Sequence, residues 1–206
     1  MKSRSDREPS RVAALVLAAG RSGRMGGANK LLVPVAGQPM LAHVVDAVQE
    51  SRAVLTVVVV GYERERVAAV LRGRKVDVVA NPDYARGLSA SLACGVAALP
   101  SSCDAVIICL GDMPRIRAPH LDRLIEGFED GCEICVPTHA GRRGNPVLWA
   151  RRFFPELCDL RGDVGARALL ERHAAQVCEV PMADDAVLFD VDSPEGLSGL
   201  PGGGPA

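Results

Sequence analysis

No apolar stretch in this 206-residue chain approaches the ~18–20 residues that a membrane-spanning helix needs. The N-terminus, MKSRSDREPSR, lacks the apolar core of a secretion signal. An excess of charge of one sign is also missing. The formal net charge is −1, so neither nucleic acid nor a membrane surface is expected as a bulk electrostatic partner. No internal repeat is visible. These absences read as a cytoplasmic globular protein. Nearly half of its residues (48%) are apolar, and a chain of this length can bury roughly 70% of the surface it exposes when unfolded. One domain is expected over 11–197. A loose segment over 1–10 precedes it, and a flexible Gly/Pro-rich tail over 198–206 follows.

The seven cysteines are odd in number and scattered through apolar segments, which reads as buried thiols in a reducing compartment. Cys132-Glu133-Ile134-Cys135 is a lone C-x-x-C. It sits in a run that reads as a strand, where residues three apart face opposite sides, so a core role is expected rather than a redox or zinc site.

Short apolar runs alternate with helical periodicities. Val12–Leu17, Thr56–Val60, Val76–Val79 and Ala105–Leu110 read as strands, the first, second and fourth buried on both faces. Helical spacing is read over Pro39–Ser51, Glu63–Leu71, Ser89–Leu99 and Pro119–Phe128. This order predicts an α/β fold with a mainly parallel sheet. Beyond Cys135 the pattern weakens. Gly141–Gly144 reads as a loop or hairpin tip, "NPVLW" as a strand with an antiparallel course open to it, Arg151–Leu160 and Ala166–Ala175 as helices, and Val187–Val191 as a last strand. Gly20, Asp112 and Asp192 then each follow a strand and should meet on one sheet edge, beyond the carboxyl ends, where such sheets bind ligands.

Against that neutral background, "LVLAAGRSGRMGGANKLL" (15–32) collects four glycines and three cations without a carboxylate. Glycines after a buried strand bring backbone N–H groups close to a ligand, and successive N–H groups form an anion-binding nest. Arg21, Arg24 and Lys30 add full charge, and a nucleoside triphosphate fits such a turn. Three other loops are excluded by spacing. A P-loop needs Gly-Lys-Ser/Thr, and here Asn29 precedes and Leu31 follows the lysine. The glycines do not match G-x-G-x-x-G, and Arg24 breaks the G-x-S-x-G elbow.

"LAAGRSGRMGGANKLL" resembles the L-A-A-G-x-x-x-R-M-G-x-x-K signature of nucleotidyltransferases. "NPDYARGLSASLACG", "LGDMP", "RGNPVLW", "GDVGAR" and "DVDSPEG" follow in the order seen in the molybdenum-cofactor cytidylyltransferase family. The resemblance spans about Val12 to Leu197. Three residues separate "RMG" from Lys30 where many relatives have two, and Ser193 and Gly196 stand where the family commonly has Thr and Asp. The resemblance implies a Rossmann-like three-layer α/β/α sandwich with a mainly parallel central sheet and a small antiparallel addition. The implied activity is transfer of CMP from CTP to the phosphate of molybdopterin, with release of pyrophosphate.

Two anions must meet in that reaction, so the barrier is largely electrostatic. The resemblance assigns Mg²⁺, with Mn²⁺ as a substitute, to Asp112 and Asp192. It also implies that Lys30 and Arg24 neutralise the departing pyrophosphate and that Asp112 is catalytic. Leu17, Ala18, Ala19, Gly20 and Arg21, with Asn81, Gly87, Ser89 and Ser91, are the implied nucleotide contacts. Arg143, Asn145, Asp163 and Arg167 are the implied acceptor contacts. Cytidylyl relatives read L-A-A-G and guanylyl relatives tend to read L-A-G-G, so the Ala19 methyl is expected to narrow the base slot. Transient contact with a molybdoenzyme or its chaperone is expected. Two alternatives stay open: a related transferase with another base or acceptor, such as a guanylyl or sugar-phosphate enzyme, and a nucleotide-binding chaperone without turnover.

Overall fold

The structure, a computed structural model, describes residues 9–22, 28–162, 165–192 and 194–197. In chain order the elements are β1 (Val12–Ala18), β2 (Pro34–Val35), β3 (Gln38–Pro39), α1 (Met40–Gln49), β4 (Leu55–Val60), α2 (Arg64–Val70), β5 (Asp77–Ala80) and α3 (Leu88–Ala97). Then come β6 (Ala105–Leu110), α4 (Ala118–Glu129), β7 (Ile134–His139), β8 (Arg142–Arg143), β9 (Val147–Ala150), α5 (Phe154–Asp159), α6 (Arg167–Arg172), β10 (Val177–Pro181) and α7 (Pro194–Leu197).

The main sheet runs β10-β7-β9-β6-β1-β4-β5, with β8 paired to β7. The β6-β1-β4-β5 half is parallel throughout, β9 lies antiparallel between β6 and β7, and β10 is parallel to β7. β2 and β3 form a separate antiparallel ribbon. This is the Rossmann-like α/β arrangement expected, including the antiparallel "NPVLW" strand.

β1 shows why the sequence produces three layers. All seven of its residues are buried, and they alternate between two cores. Val12, Ala14, Val16 and Ala18 join Leu41, Val44 and Val45 of α1, Val67 of α2, and Leu121 and Leu124 of α4. Ala13, Leu15 and Leu17 join Leu92 and Val96 of α3, Leu157 of α5 and Leu169 of α6 on the other face. A strand covered on both sides has no polar face to show, so it reads as a continuous apolar run. α3 seats closely because Gly95 has no side chain: a Cβ there would lie 2.4 Å from Leu15 Cδ1 and 2.7 Å from Val59 Cγ2.

Two expectations are corrected, and one strand appears that the sequence did not reveal. Val187–Val191 is not a strand. Asp185–Leu188 is a 3₁₀ turn, and its apolar residues pack as a cover over the core edge, where Val187 and Leu188 meet one cluster and Val191 another. The strand in this region is β10, whose half-exposed "VCEVP" lacks a clear apolar run because it lies at the sheet edge. The thiols are not all free: Cys132, just ahead of β7, is joined to Cys178 on β10 by a disulfide, while Cys94, Cys103, Cys109, Cys135 and Cys158 are unpaired. Burial pushes the Cys109 and Cys135 thiols up to about 12, which suits the core role expected for Cys135. The helical reading of Ala166–Ala175 holds as α6 followed by a 3₁₀ turn, Ala174–Gln176. Among the described residues no helix is long and apolar enough to cross a membrane. The expected tails lie mostly outside the described residues.

Candidate active site

β1 is flanked by β4 on one side and β6 on the other, so chain order reverses about it. The carboxyl ends of β1 and β6 therefore form a switch point of the kind where open α/β sheets bind ligands. Gly20, Arg21 and Ser22 leave β1 there, and Gly111 and Asp112 leave β6 there, with Gly111 N donating to Leu17 O (3.1 Å). The third arm is the 189–192 segment, fixed by Val191 N donating to Asp112 O (3.0 Å). Asp192 therefore reaches the sheet edge as expected, but from a loop rather than from a strand end.

Local hydrogen bonds aim Lys30 inward. Asn29 Oδ1 accepts from Leu31 N (3.2 Å) and caps the 3₁₀ turn Lys30–Leu32. Ser22 Oγ accepts from Lys30 N (3.1 Å), tying the two ends of the glycine-rich loop together. The Lys30 ammonium lies 2.5 Å from Asp112 Oδ2 and 3.0 Å from Asp192 Oδ1. Burial alone would lower its pKa. The attraction and hydrogen bonds of Asp112 and Asp192 outweigh that, and the net direction is upward.

Asp112, Asp190 and Asp192 each bring a carboxylate oxygen within 4.8 Å of the others. Burial, with Asp192 and Asp112 alongside, pushes the Asp190 carboxyl up. Asp112 Oδ1 is buried without a hydrogen-bond partner. Such an oxygen is costly unless a ligand completes it. An all-carboxylate donor set suits a hard divalent cation such as Mg²⁺ or Mn²⁺. The residues therefore fit the implied metal. Asp190 was given no role in the sequence reading, although the alternation in "DVD" carries the signal.

Asp112, Asp192 and Lys30 line a 390 Å³ cleft together with Ala19, Gly20, Arg21, Gly87 and Ser91, and Asp190 stands beside the two lining acids. Gly87 takes φ +104° at the entry to α3, a conformation open to glycine. Tyr84 forms another wall. Its ring lies 5.5 Å from the Arg21 guanidinium, and it presses on Gly61, where a Cβ would come within 2.6 Å of the Tyr84 Cβ and 2.8 Å of the Ala19 Cβ. Three expected contacts lie away from the cleft. Ala18 is buried against the α1 face of the sheet. Asn81 is spent internally, donating to Ser91 Oγ (3.0 Å) and accepting from Asp83 N (2.9 Å). Ser89 is buried and donates to Gly162 O, holding the loop ahead of α6. Their polarity shows in the sequence, but its direction is decided by packing.

Leu17, Leu88 and Leu110 also line a second chamber of 460 Å³, so the two spaces abut across this ridge. Most of the chamber wall is apolar, including Leu92, Ile108, Val136, Val147, Trp149 and Leu170. Arg143, Asn145, Arg167 and Glu171 supply its charged and amide groups. Arg143 also pairs with Glu179 of β10 (2.9 Å). Gly144 cannot carry a side chain, since a Cβ would fall 2.1 Å from Val187 O, and Asn145 N donates to that same carbonyl (2.9 Å). The "RGNP" loop and the segment leading to Asp190 are thus locked together. Arg24 and Asp163 lie outside the described residues.

A glycine turn, a ready acid cluster and a switch-point cleft define a nucleotide-binding α/β protein. The chain belongs to the MobA-like NTP transferase domain family, which matches residues 14–177. It is 35% identical over 139 residues to the bifunctional protein GlmU of Agrobacterium fabrum, covering 63% of this chain and 30% of that protein. The chain thus spans about a third of the length of the curated relatives it matches. Among solved structures it is similar to Rv0371c from Mycobacterium tuberculosis H37Rv (TM-score 0.82, 27% identity, 93% of this chain and 97% of that one). Rv0371C has also been solved as a complex with manganese. It is similar as well to Mth528, a nucleotidyl transferase from Methanothermobacter thermautotroptrophicus (TM-score 0.78, 25% identity, 89% and 92%).

Proposed function

We propose that this protein is a divalent-metal-dependent nucleotidyltransferase that moves CMP from CTP onto the phosphate of molybdopterin and releases pyrophosphate. The observation that carries the reading is the junction of the two spaces. A cleft lined by Asp112 and Asp192, with Asp190 beside them, abuts, across Leu17, Leu88 and Leu110, a largely apolar chamber holding Arg143 and Arg167. Triphosphate on one side and acceptor on the other would place the α-phosphorus and the acceptor phosphate at the shared ridge.

The step balances simply. An acceptor phosphate oxygen attacks the α-phosphorus, a new P–O bond forms, and the bond to the α,β-bridging oxygen breaks. Pyrophosphate leaves with that electron pair. A phosphate monoester, with a second pKa of about 6, is largely ionised at neutral pH and needs no general base. The chain's part is positioning and charge balance. The amides of the Gly20 turn hold phosphate oxygens, Arg21, Arg24 and Lys30 offset the charge of pyrophosphate, and Ala19 limits the base slot. A divalent cation on Asp112, Asp190 and Asp192 supplies further neutralisation when bound. Contact with a molybdoenzyme or its chaperone would follow from the same reading.

The sequence leaves a second reading open, with a sugar phosphate as acceptor. The chamber speaks for the pterin. A polyhydroxylated sugar needs many hydrogen-bond partners, whereas a planar heterocycle suits aliphatic walls with a few polar groups. The deciding experiment incubates the protein and Mg²⁺ with each nucleoside triphosphate, paired with molybdopterin or a hexose phosphate, and identifies products by mass. Molybdopterin cytosine dinucleotide with pyrophosphate is expected. A guanine dinucleotide or a nucleotide sugar as main product overturns the specific reading, and absence of pyrophosphate release with any pair leaves the chaperone alternative.

A further inference from the structure

Lys30 is expected from the resemblance on the phosphates, yet its ammonium sits between Asp112 Oδ2 (2.5 Å) and Asp192 Oδ1 (3.0 Å). These two carboxylates belong to the acid cluster that fits the metal. Mg²⁺ draws its oxygen ligands to about 2.0–2.1 Å, so an ion shared by those two oxygens needs the space the ammonium fills. Asp112 Oδ1 stays open to an ion, but an ion bridging Asp112 Oδ2 and Asp192 Oδ1 would lie against the ammonium, where the two positive charges repel. The side chain is also well placed to stay: Lys30 and Asp112 are each only 15% exposed, and the capped turn behind Lys30 fixes its backbone.

We infer that Lys30 is a built-in competitor of the metal, a cationic latch on Asp112 and Asp192 that the divalent ion must displace. Displacement then frees the ammonium for a triphosphate entering the same cleft. The latch has two consequences. It keeps the acids from repelling one another while no metal is bound, and it weakens metal binding by the fraction of protein in which the latch is open. The metal would enter most readily with a triphosphate, because phosphate oxygens then offer the displaced ammonium a new partner. Lys30 would thus order the loading of metal and nucleotide. The inference rests on the acid cluster as the metal site, not on the identity of base or acceptor.

The test measures Mn²⁺ affinity of the whole protein without nucleotide, from the EPR signal of free Mn²⁺. Lys30→Met should bind Mn²⁺ at least about tenfold more tightly than the unaltered protein, as expected if the latch is closed about nine-tenths of the time. Arg21→Met removes an equal charge from the same cleft, where the guanidinium lies over the Tyr84 ring rather than on the acids, and should change the affinity less than about threefold, since no contact with the acid pair is lost. Equal or weaker binding by Lys30→Met, binding too weak to measure in both, or the same gain in Arg21→Met overturns the latch. A second readout needs no variant. Amine-reactive labelling of the unaltered protein, read by mass spectrometry, should speed up at Lys30 when Mg²⁺ is added at constant ionic strength and stay constant at exposed Lys75. Unchanged or slower labelling of Lys30 overturns the latch equally. A protein that prefers GTP or a sugar acceptor would still show both effects, so the two readings fail separately.

Discussion

The two spaces on either side of the Leu17–Leu88–Leu110 ridge are built on opposite principles. The cleft is governed by charge: two lining acids with a third beside them, an ammonium and an arginine surround glycine backbone. The chamber is governed by shape: aliphatic and indole walls with charge in a few places. Chemistry that moves a phosphorus centre needs the first, and recognition of a particular acceptor needs the second. Substitutions in the cleft should therefore act on rate, and those in the chamber on acceptor affinity.

The strongest way to break this division is Asp112→Ala. Pyrophosphate release should fall by at least about 10³-fold, because both the ion's ligand and the Lys30 partner are lost, while circular dichroism stays native. Retained turnover would remove Asp112 from the mechanism. Next in size is a substitution that spares both spaces and strikes the frame. Gly95→Val should overpack the contact of α3 with Leu15 and Val59 and cost about 1–3 kcal/mol. Tm would drop by roughly 2–10 °C.

On the chamber side, Arg167→Ala should raise KM for the acceptor about tenfold and leave KM for the triphosphate within twofold, as loss of one charge-assisted contact implies. Equal effects on both would erase the distinction between the two spaces. In the cleft, Ala19→Gly should relax the CTP-over-GTP preference by about tenfold, the scale of one methyl in a close-fitting pocket.

The smallest effect concerns stability and pH. The Asp190 carboxyl is pushed up in the folded protein, so folding takes up protons between its unfolded and folded values. Stability of the metal-free protein is reduced as pH rises through that window, and the penalty is fully present above it. Asp190→Asn should therefore raise Tm of the metal-free protein at neutral pH slightly, by under about 3 °C given the side chain's exposure, and should weaken Mn²⁺ binding. A lowered metal-free Tm would show that Asp190 stabilises the fold instead.

The cleft was more readable in the sequence than the chamber, for physical reasons. β1, β4 and β6 are covered on both faces, so they read as unbroken apolar runs, and the glycine or acid that ends each run marks the site edge. Gly20 and Asp112 could be placed from those runs alone, whereas Lys30 rested on the cations of the glycine-rich stretch and on the resemblance. Asp192 was placed at the correct edge for a mistaken reason, because the apolar residues of 187–191 serve a covering loop. β10 went unread because an edge strand with a half-exposed face has no such run, and the pairing of Cys178 with Cys132 depends on that strand's position. Asn81 and Ser89 look like ligand groups in sequence and are instead absorbed by internal hydrogen bonds. The chamber's apolar wall gathers residues from β1, α3, β6, β7, β9 and α6, and no local pattern reveals that convergence.

The most direct measurement is a crystal structure with Mn²⁺ and a non-hydrolysable CTP analogue, with the ion located by its anomalous signal. The account predicts the ion bound to Asp112 and Asp192, with the Lys30 ammonium moved onto the phosphates. An ion bound elsewhere, with Lys30 still resting on both acids, would contradict it.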